Sequence, residues 1–212
     1  MPMKKADQQV VIFDFDGTIA DTFRVSIGIF ERMTKRNDNF SEAEIEHLRG
    51  LSGLQVVREL RIRPWLVPFM LIRGRSMMRR SLKKIAIFEG IKPLIIDLHK
   101  RGVPLYITSS NSTGNILKFL QTHDMDRYFV RVYGNVGLFG KARALRQVLK
   151  TNQLRPEQVT YIGDETRDIE AAKHVGIRSV AVTWGFNSAA LLKTHEPDAL
   201  AKTSAELAKI LG

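Results

Sequence analysis

Short β-branched runs that alternate with amphipathic helical stretches, interrupted once by a long helical tract, predict an α/β protein: a doubly wound, mostly parallel sheet with an inserted helical cap. The first strand is residues 9–14, Gln-Val-Val-Ile-Phe-Asp, apolar and too short for a stable helix, closed by a polar Gly-containing turn. Residues 22–88 abandon the alternation for helical segments with breaks near 37–41, 50–53 and 64–68, and read as the cap. The core resumes at Glu89-Gly-Ile-Lys-Pro93. From there helices at 91–100, 113–122, 141–150 and 168–175 alternate with strands at 103–108, 128–133, 159–163 and 178–183. A chain of 212 residues is long enough for one substantial core plus an insertion. The expected division is therefore a core of residues 1–21 and 89–212 and a cap of residues 22–88.

Composition narrows the chemistry. With 44% hydrophobic and 26% charged residues the chain has what a folded domain needs. It has no cysteine, which excludes disulfides, thiolate metal sites and a Cys nucleophile, and fits a reducing compartment. Residues 1–9 are short and polar, unlike a secretory leader, so a cytoplasmic location is expected. The longest apolar stretch, 65–72, contains Pro68 and is far shorter than the roughly 18 to 20 residues of a spanning helix. The net charge of +11 is concentrated: residues 58–84 carry nine Lys or Arg against Glu59 alone. That stretch is a solvated face of the cap, or it serves a strongly anionic substrate, nucleic acid or an acidic membrane surface.

In open α/β sheets ligands bind beyond the carboxyl ends of strands, so the residues there are the candidates for chemistry. Asp14-Phe-Asp16-Gly17-Thr18 follows the first strand. A carboxylate at Asp14 can attack a phosphoryl group to form an aspartyl-phosphate. Asp16 can protonate the leaving alcohol and later activate water if its environment holds its pKa up. Two acids facing a phosphate require a cation, and Mg²⁺ suits an oxygen set of Asp14, Asp164 and the Asp16 carbonyl. Asp168, one helical turn beyond Asp164, is a supporting group. Lys141 follows Gly140 at a helix start and can neutralise the nucleophile and phosphate. Thr108, with the Ser109 and Ser110 amides leading into a helix, can bind the phosphoryl oxygens.

These motifs together resemble the haloacid dehalogenase-like (HAD) hydrolase superfamily, in the capped branch that includes phosphoglycolate phosphatases. The similarity lies in Asp14-Phe-Asp-Gly-Thr18, Leu105-Tyr-Ile-Thr108-Ser-Ser-Asn111, Lys141 and Tyr161-Ile-Gly-Asp164-Glu-Thr-Arg-Asp168-Ile-Glu-Ala-Ala172, in that order along the chain. The resemblance implies a Rossmann-like fold, Mg²⁺, an aspartyl-phosphate intermediate and a cap that closes over a small phosphorylated substrate. Dehalogenases of the superfamily need neither metal nor second acid, so Asp16, Asp164 and Asp168 favour phosphate chemistry. A sugar-phosphate mutase or phosphotransferase shares the same catalytic set. Gly53, however, stands where a phosphate-binding Arg is expected after Gly50-Leu-Ser52. A different class is a binding protein whose basic cap engages nucleic acid or membrane on a phosphatase-like core. Glu165, Thr166 and Arg167 read as turn residues, Trp184-Gly-Phe-Asn187 as a packing or site-lining loop, and the five His residues show no metal-ligand spacing.

Overall fold

The computed structural model describes residues 9–34, 39–137 and 140–212. The polar N-terminal segment 1–8 and the first residues of the break expected at 37–41 lie outside them. Six strands, β1 (Val10–Phe13), β2 (Leu105–Thr108), β3 (Arg131–Tyr133), β4 (Val159–Gly163), β5 (Arg178–Val182) and β6 (Ala199–Ala201), form one parallel sheet in the order β3-β2-β1-β4-β5-β6. Phe13 pairs with Ile107 on one side and Ile162 on the other. The chain therefore reverses its direction of winding at β1, which places the switch-point crevice at Asp14.

The alternation of side chains across each strand feeds two apolar layers. Val11, Phe13, Leu105 and Ile107 face a cluster completed by α5 (Ile91–Lys100), α6 (Thr113–Thr122) and α10 (Ser204–Leu211). Val10, Ile12, Tyr106 and Tyr161 face the other way, against α7 (Lys141–Asn152) and α8 (Thr166–Val175). The short α9 (Ala189–Thr194) places Leu192 against Ile169 and Ala181. The sheet is thus covered on both faces, as its near-continuous apolar strands require. The sixth strand and the last two helices are additions to the elements expected from sequence. The strand expected at 128–133 is shorter, because Asp126–Tyr128 forms a 3₁₀ turn before it.

Between β1 and α5 the structure is helical: α1 (Phe23–Thr34), α2 (Glu42–Arg49), α3 (Gly53–Glu59) and α4 (Val67–Ser81). Breaks at 50–53 and 64–68 have visible causes. Ser41 and Glu44 form a reciprocal capping box at the start of α2, Ser52 and Gln55 another at α3, and Pro64 and Pro68 sit in the first turns of their helices. Ile29 of α1 and Met78 of α4 join the main core, while Phe40, Ile45 and Leu48 close a small core of their own with Phe23, Phe30 and Val56. The segment leaves and re-enters the sheet domain through two strands of backbone that pair antiparallel. The Phe88 amide donates to the Ile19 carbonyl (3.1 Å) and the Asp21 amide to the Ala86 carbonyl (2.9 Å).

Candidate active site

Buried carboxylates meet a lysine at the carboxyl ends of β1 and β4. Lys141, at the first turn of α7, donates to Asp14 Oδ2 at 2.6 Å and to Asp168 Oδ1, with all three side chains almost fully buried. Asp14 Oδ1 accepts from the Phe15 amide at 2.7 Å. Burial alone would push Lys141 down, but the two carboxylates outweigh it and hold its pKa at about 12. Burial lifts Asp14 to about 7 despite Lys141, with Asp168 adding repulsion.

Asp164 is fully buried. Its Oδ1 accepts from the Thr18 hydroxyl (2.8 Å) and its Oδ2 from the Phe186 amide (2.7 Å). Its carboxylate fills the space where side chains at Gly17 and Gly185 would be, and Gly17 has φ +77° besides. These glycines are what allow two loops to close on one carboxylate. Burial, then Glu165, Asp14 and Asp168, raise the Asp164 pKa well above the usual carboxylate range.

Asp14, Asp164 and Asp168 each offer an oxygen within 4.8 Å of the others. Three buried acids so close favour a hard, oxygen-seeking cation such as Mg²⁺. Asp168 is the most committed of them. Its Oδ1 also accepts from the Tyr161 hydroxyl (3.2 Å), and its Oδ2 accepts from the Asp164 and Glu165 amides (3.1 and 3.0 Å). It thus orients Lys141 and caps α8. The Asp16 carboxylate stands outside the acid cluster. Its Oδ1 accepts from Asn111 Nδ2 (3.1 Å) and its Oδ2 from the Ser109 hydroxyl (3.4 Å), and burial raises its pKa.

The loop after β2 comes alongside. Thr108 is buried with no hydrogen-bond partner for its hydroxyl, among the described residues, so a donor waits at the strand end. The Ser109 amide does not: it donates to the Tyr133 carbonyl (3.0 Å) and is spent on the sheet. Of the two amides expected from sequence to face phosphate, that one is excluded by the pairing of β2 with β3, and the Ser110 amide is left. Ser112 caps α6, accepting from the Asn115 amide at 3.2 Å.

Above these groups α1, α3 and α4 border an open cavity of about 340 Å³. Its polar end holds Asp16, Ser110, Asn111, Glu165, Arg167 and Arg75, and its walls are mostly apolar, with Ile29, Met33, Val57, Met70 and Met78 among them. Sequence reasoning treated Glu165 and Arg167 as turn residues; the structure brings both to the cavity. Arg167 donates to Glu165 (2.5 Å) and lies 3.5 Å from the Ser110 hydroxyl. Arg75 is the one member of the basic stretch on this wall, donating to the Val136 carbonyl at 3.3 Å. Asn111, which the sequence places in the loop after β2 with no evident role, also reaches the cavity and donates to Asp16. Gly53 also borders the cavity, and a Cβ there would meet open space. Phe186 lines the cavity, whereas Trp184 packs on Phe88 and donates to the Thr18 carbonyl (3.2 Å).

The helices above are held to the sheet domain by Arg49 and Asn187. Arg49 donates to the Gly185 and Thr183 carbonyls (3.1 and 3.3 Å), and Asn187 Nδ2 to the Leu51 carbonyl (3.1 Å). The Asn187 Oδ1 accepts from the Thr166 amide at 2.9 Å, tying the same latch to α8.

The sequence profile of the haloacid dehalogenase-like hydrolases matches residues 11–182. A phosphoglycolate phosphatase of Synechococcus elongatus is 36% identical over 201 residues, 94% of this chain and 95% of that one. A protein described as tyrosine-protein kinase PtkA of Mycobacterium tuberculosis is 26% identical over 85% of this chain and 64% of its own length. Among solved structures, a haloacid dehalogenase-like hydrolase of Streptococcus pneumoniae superposes with a TM-score of 0.79 at 24% identity, covering 97% of this chain and 99% of that one.

Proposed function

The chain belongs to the haloacid dehalogenase-like hydrolase family, and from that premise we propose that it hydrolyses a small phosphate monoester through an aspartyl-phosphate on Asp14. The observation that carries this reading is the triad of Asp14, Lys141 and Asp168 beside Asp164 at the switch point of the sheet. Asp14 attacks phosphorus in line. Lys141, the Thr108 hydroxyl and the Ser110 amide offset and orient the negative oxygens, the Ser109 amide being spent on β3. Asp14, Asp164 and the Asp16 carbonyl would hold Mg²⁺, which supplies Lewis-acid neutralisation of the phosphoryl group. Asp16, its pKa raised by burial and its carboxyl steadied by Asn111, gives a proton to the leaving alcohol. As a carboxylate it then takes one from the water that clears Asp14. Residues 22–88 act as the cap over this site and residues 89–212 complete its core.

Phosphoglycolate is the substrate that the Synechococcus relative suggests. Its carboxylate would find Arg75 and Arg167 at the polar end of the cavity. Phosphotransfer uses the same floor, but the open position at Gly53 offers no second phosphate anchor, so hydrolysis is the better supported reaction. The test is turnover of p-nitrophenyl phosphate and of a phosphate-ester panel with Mg²⁺, after chelation, and with Asp14→Asn. Turnover that needs Mg²⁺ and vanishes in the variant supports the reading. A wild-type protein that is folded yet inert toward the whole panel would refute it.

A further inference from the structure

One patch of the surface takes no part in any of this. Seven large hydrophobic side chains are exposed among the described residues, and five of them, Leu54, Trp65, Leu66, Phe69 and Ile72, belong to α3, α4 and the turn between them. Trp65 is 70% exposed, Phe69 61% and Ile72 65%. Phe69 and Ile72 share one side of α4, while Val67, Met70, Leu71 and Met78 occupy the side that lines the cavity. No packing among the described residues accounts for the outward group.

The charges around it are equally one-sided. Eight of the nine basic residues between 58 and 84 are exposed, all except Arg75. Arg63 lies over the Trp65 ring at 5.7 Å. Along α4 the outward surface is apolar in the first turns and basic after Ile72, where Arg73, Arg79 and Arg80 lead to Lys83 and Lys84. Glu59, the sole acid of the stretch, is occupied by His47 at 3.3 Å. The result is an apolar tip with a cationic collar.

From this juxtaposition we infer that the outer face of α4 docks on an anionic membrane surface. Trp and Phe settle at the headgroup boundary with aliphatic side chains beneath, while Arg and Lys meet the acidic lipids. Two other occupants fit less well. A second copy would set like-charged collars against each other. A nucleic acid would answer the arginines but not Leu54, Leu66 and Ile72, which have no ring on which a base can stack. Docking is independent of the phosphatase reading. It does have a consequence for it, since the opposite side of the same helix walls the cavity.

The experiment is flotation of the whole protein with vesicles of phosphatidylcholine alone and with phosphatidylserine at about one third, in roughly 0.1 M salt, where charge attraction survives screening. Expected are binding to the mixed vesicles only, loss of binding in high salt, and a blue shift of Trp65 emission. The variant Trp65→Ser/Phe69→Ser/Ile72→Ser should lose at least about tenfold in partitioning while hydrolysing soluble p-nitrophenyl phosphate as the parent does. A second variant, Arg73→Glu/Arg79→Glu/Arg80→Glu, should bind neither vesicle. The inference is overturned if the parent ignores anionic vesicles, if the apolar triple variant binds them as well as the parent, or if that variant and the parent bind a single-stranded oligonucleotide equally and no vesicle. If binding holds but no phosphate ester is hydrolysed, docking stands and the phosphatase reading falls.

Discussion

At the floor of the cavity the acids and the lysine are held by ion pairs and hydrogen bonds, whereas the helical roof meets the sheet domain through apolar packing and a handful of bonds. Lys141 lies between two carboxylates, and Asp164 between a hydroxyl and an amide, on loops fixed by four adjacent parallel strands. The roof is joined to the sheet domain by the paired linkers, by Arg49 and Asn187, and by Ile29 and Met78 packed into the main core. Charge that must face phosphate at the angle of reaction needs a rigid frame. Walls that select an alcohol need shape and tolerate change.

That contrast can be broken by measurement. The role proposed for Asp14 predicts that Asp14→Asn leaves the fold intact and lowers kcat by on the order of 10⁴ or more; a loss under tenfold would move the chemistry elsewhere. Lys141→Ala strips the partner from two buried acids and should destabilise by about 3–5 kcal/mol, read as a fall of roughly 10 °C in Tm for a chain of this size. Lys141→Arg should recover part of that stability.

The acid cluster also sets a pH response. Asp14, Asp16 and Asp164 have folded-state pKa values above their unfolded ones, so the folded state binds more protons than the unfolded state in that range. Without metal, the stability these three groups contribute is then fullest below about pH 4, the unfolded carboxylate range, and declines as pH rises through the Asp14 value of about 7. Calorimetry should show a metal-free Tm falling from pH 5 to 8 and a shallower slope with Mg²⁺. Asp164→Asn should flatten the metal-free slope, since its amide can still serve Phe186 and Thr18.

The roof should respond more mildly. Arg75→Ala should raise KM about tenfold for a substrate with a carboxylate beside its phosphate, a cost of about 1.4 kcal/mol, and by less than about twofold for p-nitrophenyl phosphate. Arg49→Ala should cost about 1.5 kcal/mol at most, seen as faster amide exchange in α2 and α3 with the strands unchanged. Equal acceleration in β1 and β4 would show that floor and roof are one cooperative unit.

How much of this was legible beforehand follows the same division. The strands carrying Asp14 and Asp164 are uninterrupted apolar runs, and the acids stand where the apolar run stops, so both position and neighbours could be anticipated. β6 escaped because Ala-Leu-Ala at 199–201 is short and lacks β-branching. Arg167 and Asn111 escaped because their sequence neighbours suit a turn and a helix start equally well; only the meeting of β2, β4 and α8 turns them toward the cavity. The fate of the Ser109 amide depended on the register of β3, which no local pattern specifies. The basic stretch was visible as charge, but its exposed apolar companions became visible only once α4 had an inside and an outside.

The paired linkers at 19–21 and 86–88 also bear on what the chain can tolerate between them. Because those backbones hydrogen-bond to each other, the sheet domain meets the whole helical segment as if it were the tip of a hairpin. Chain closure grows only logarithmically with the length of what is enclosed, so that tip can be long or short at little cost to the sheet. A helical segment of another sequence could be spliced between the same two strands, and the site below would acquire a new clientele without rebuilding its chemistry.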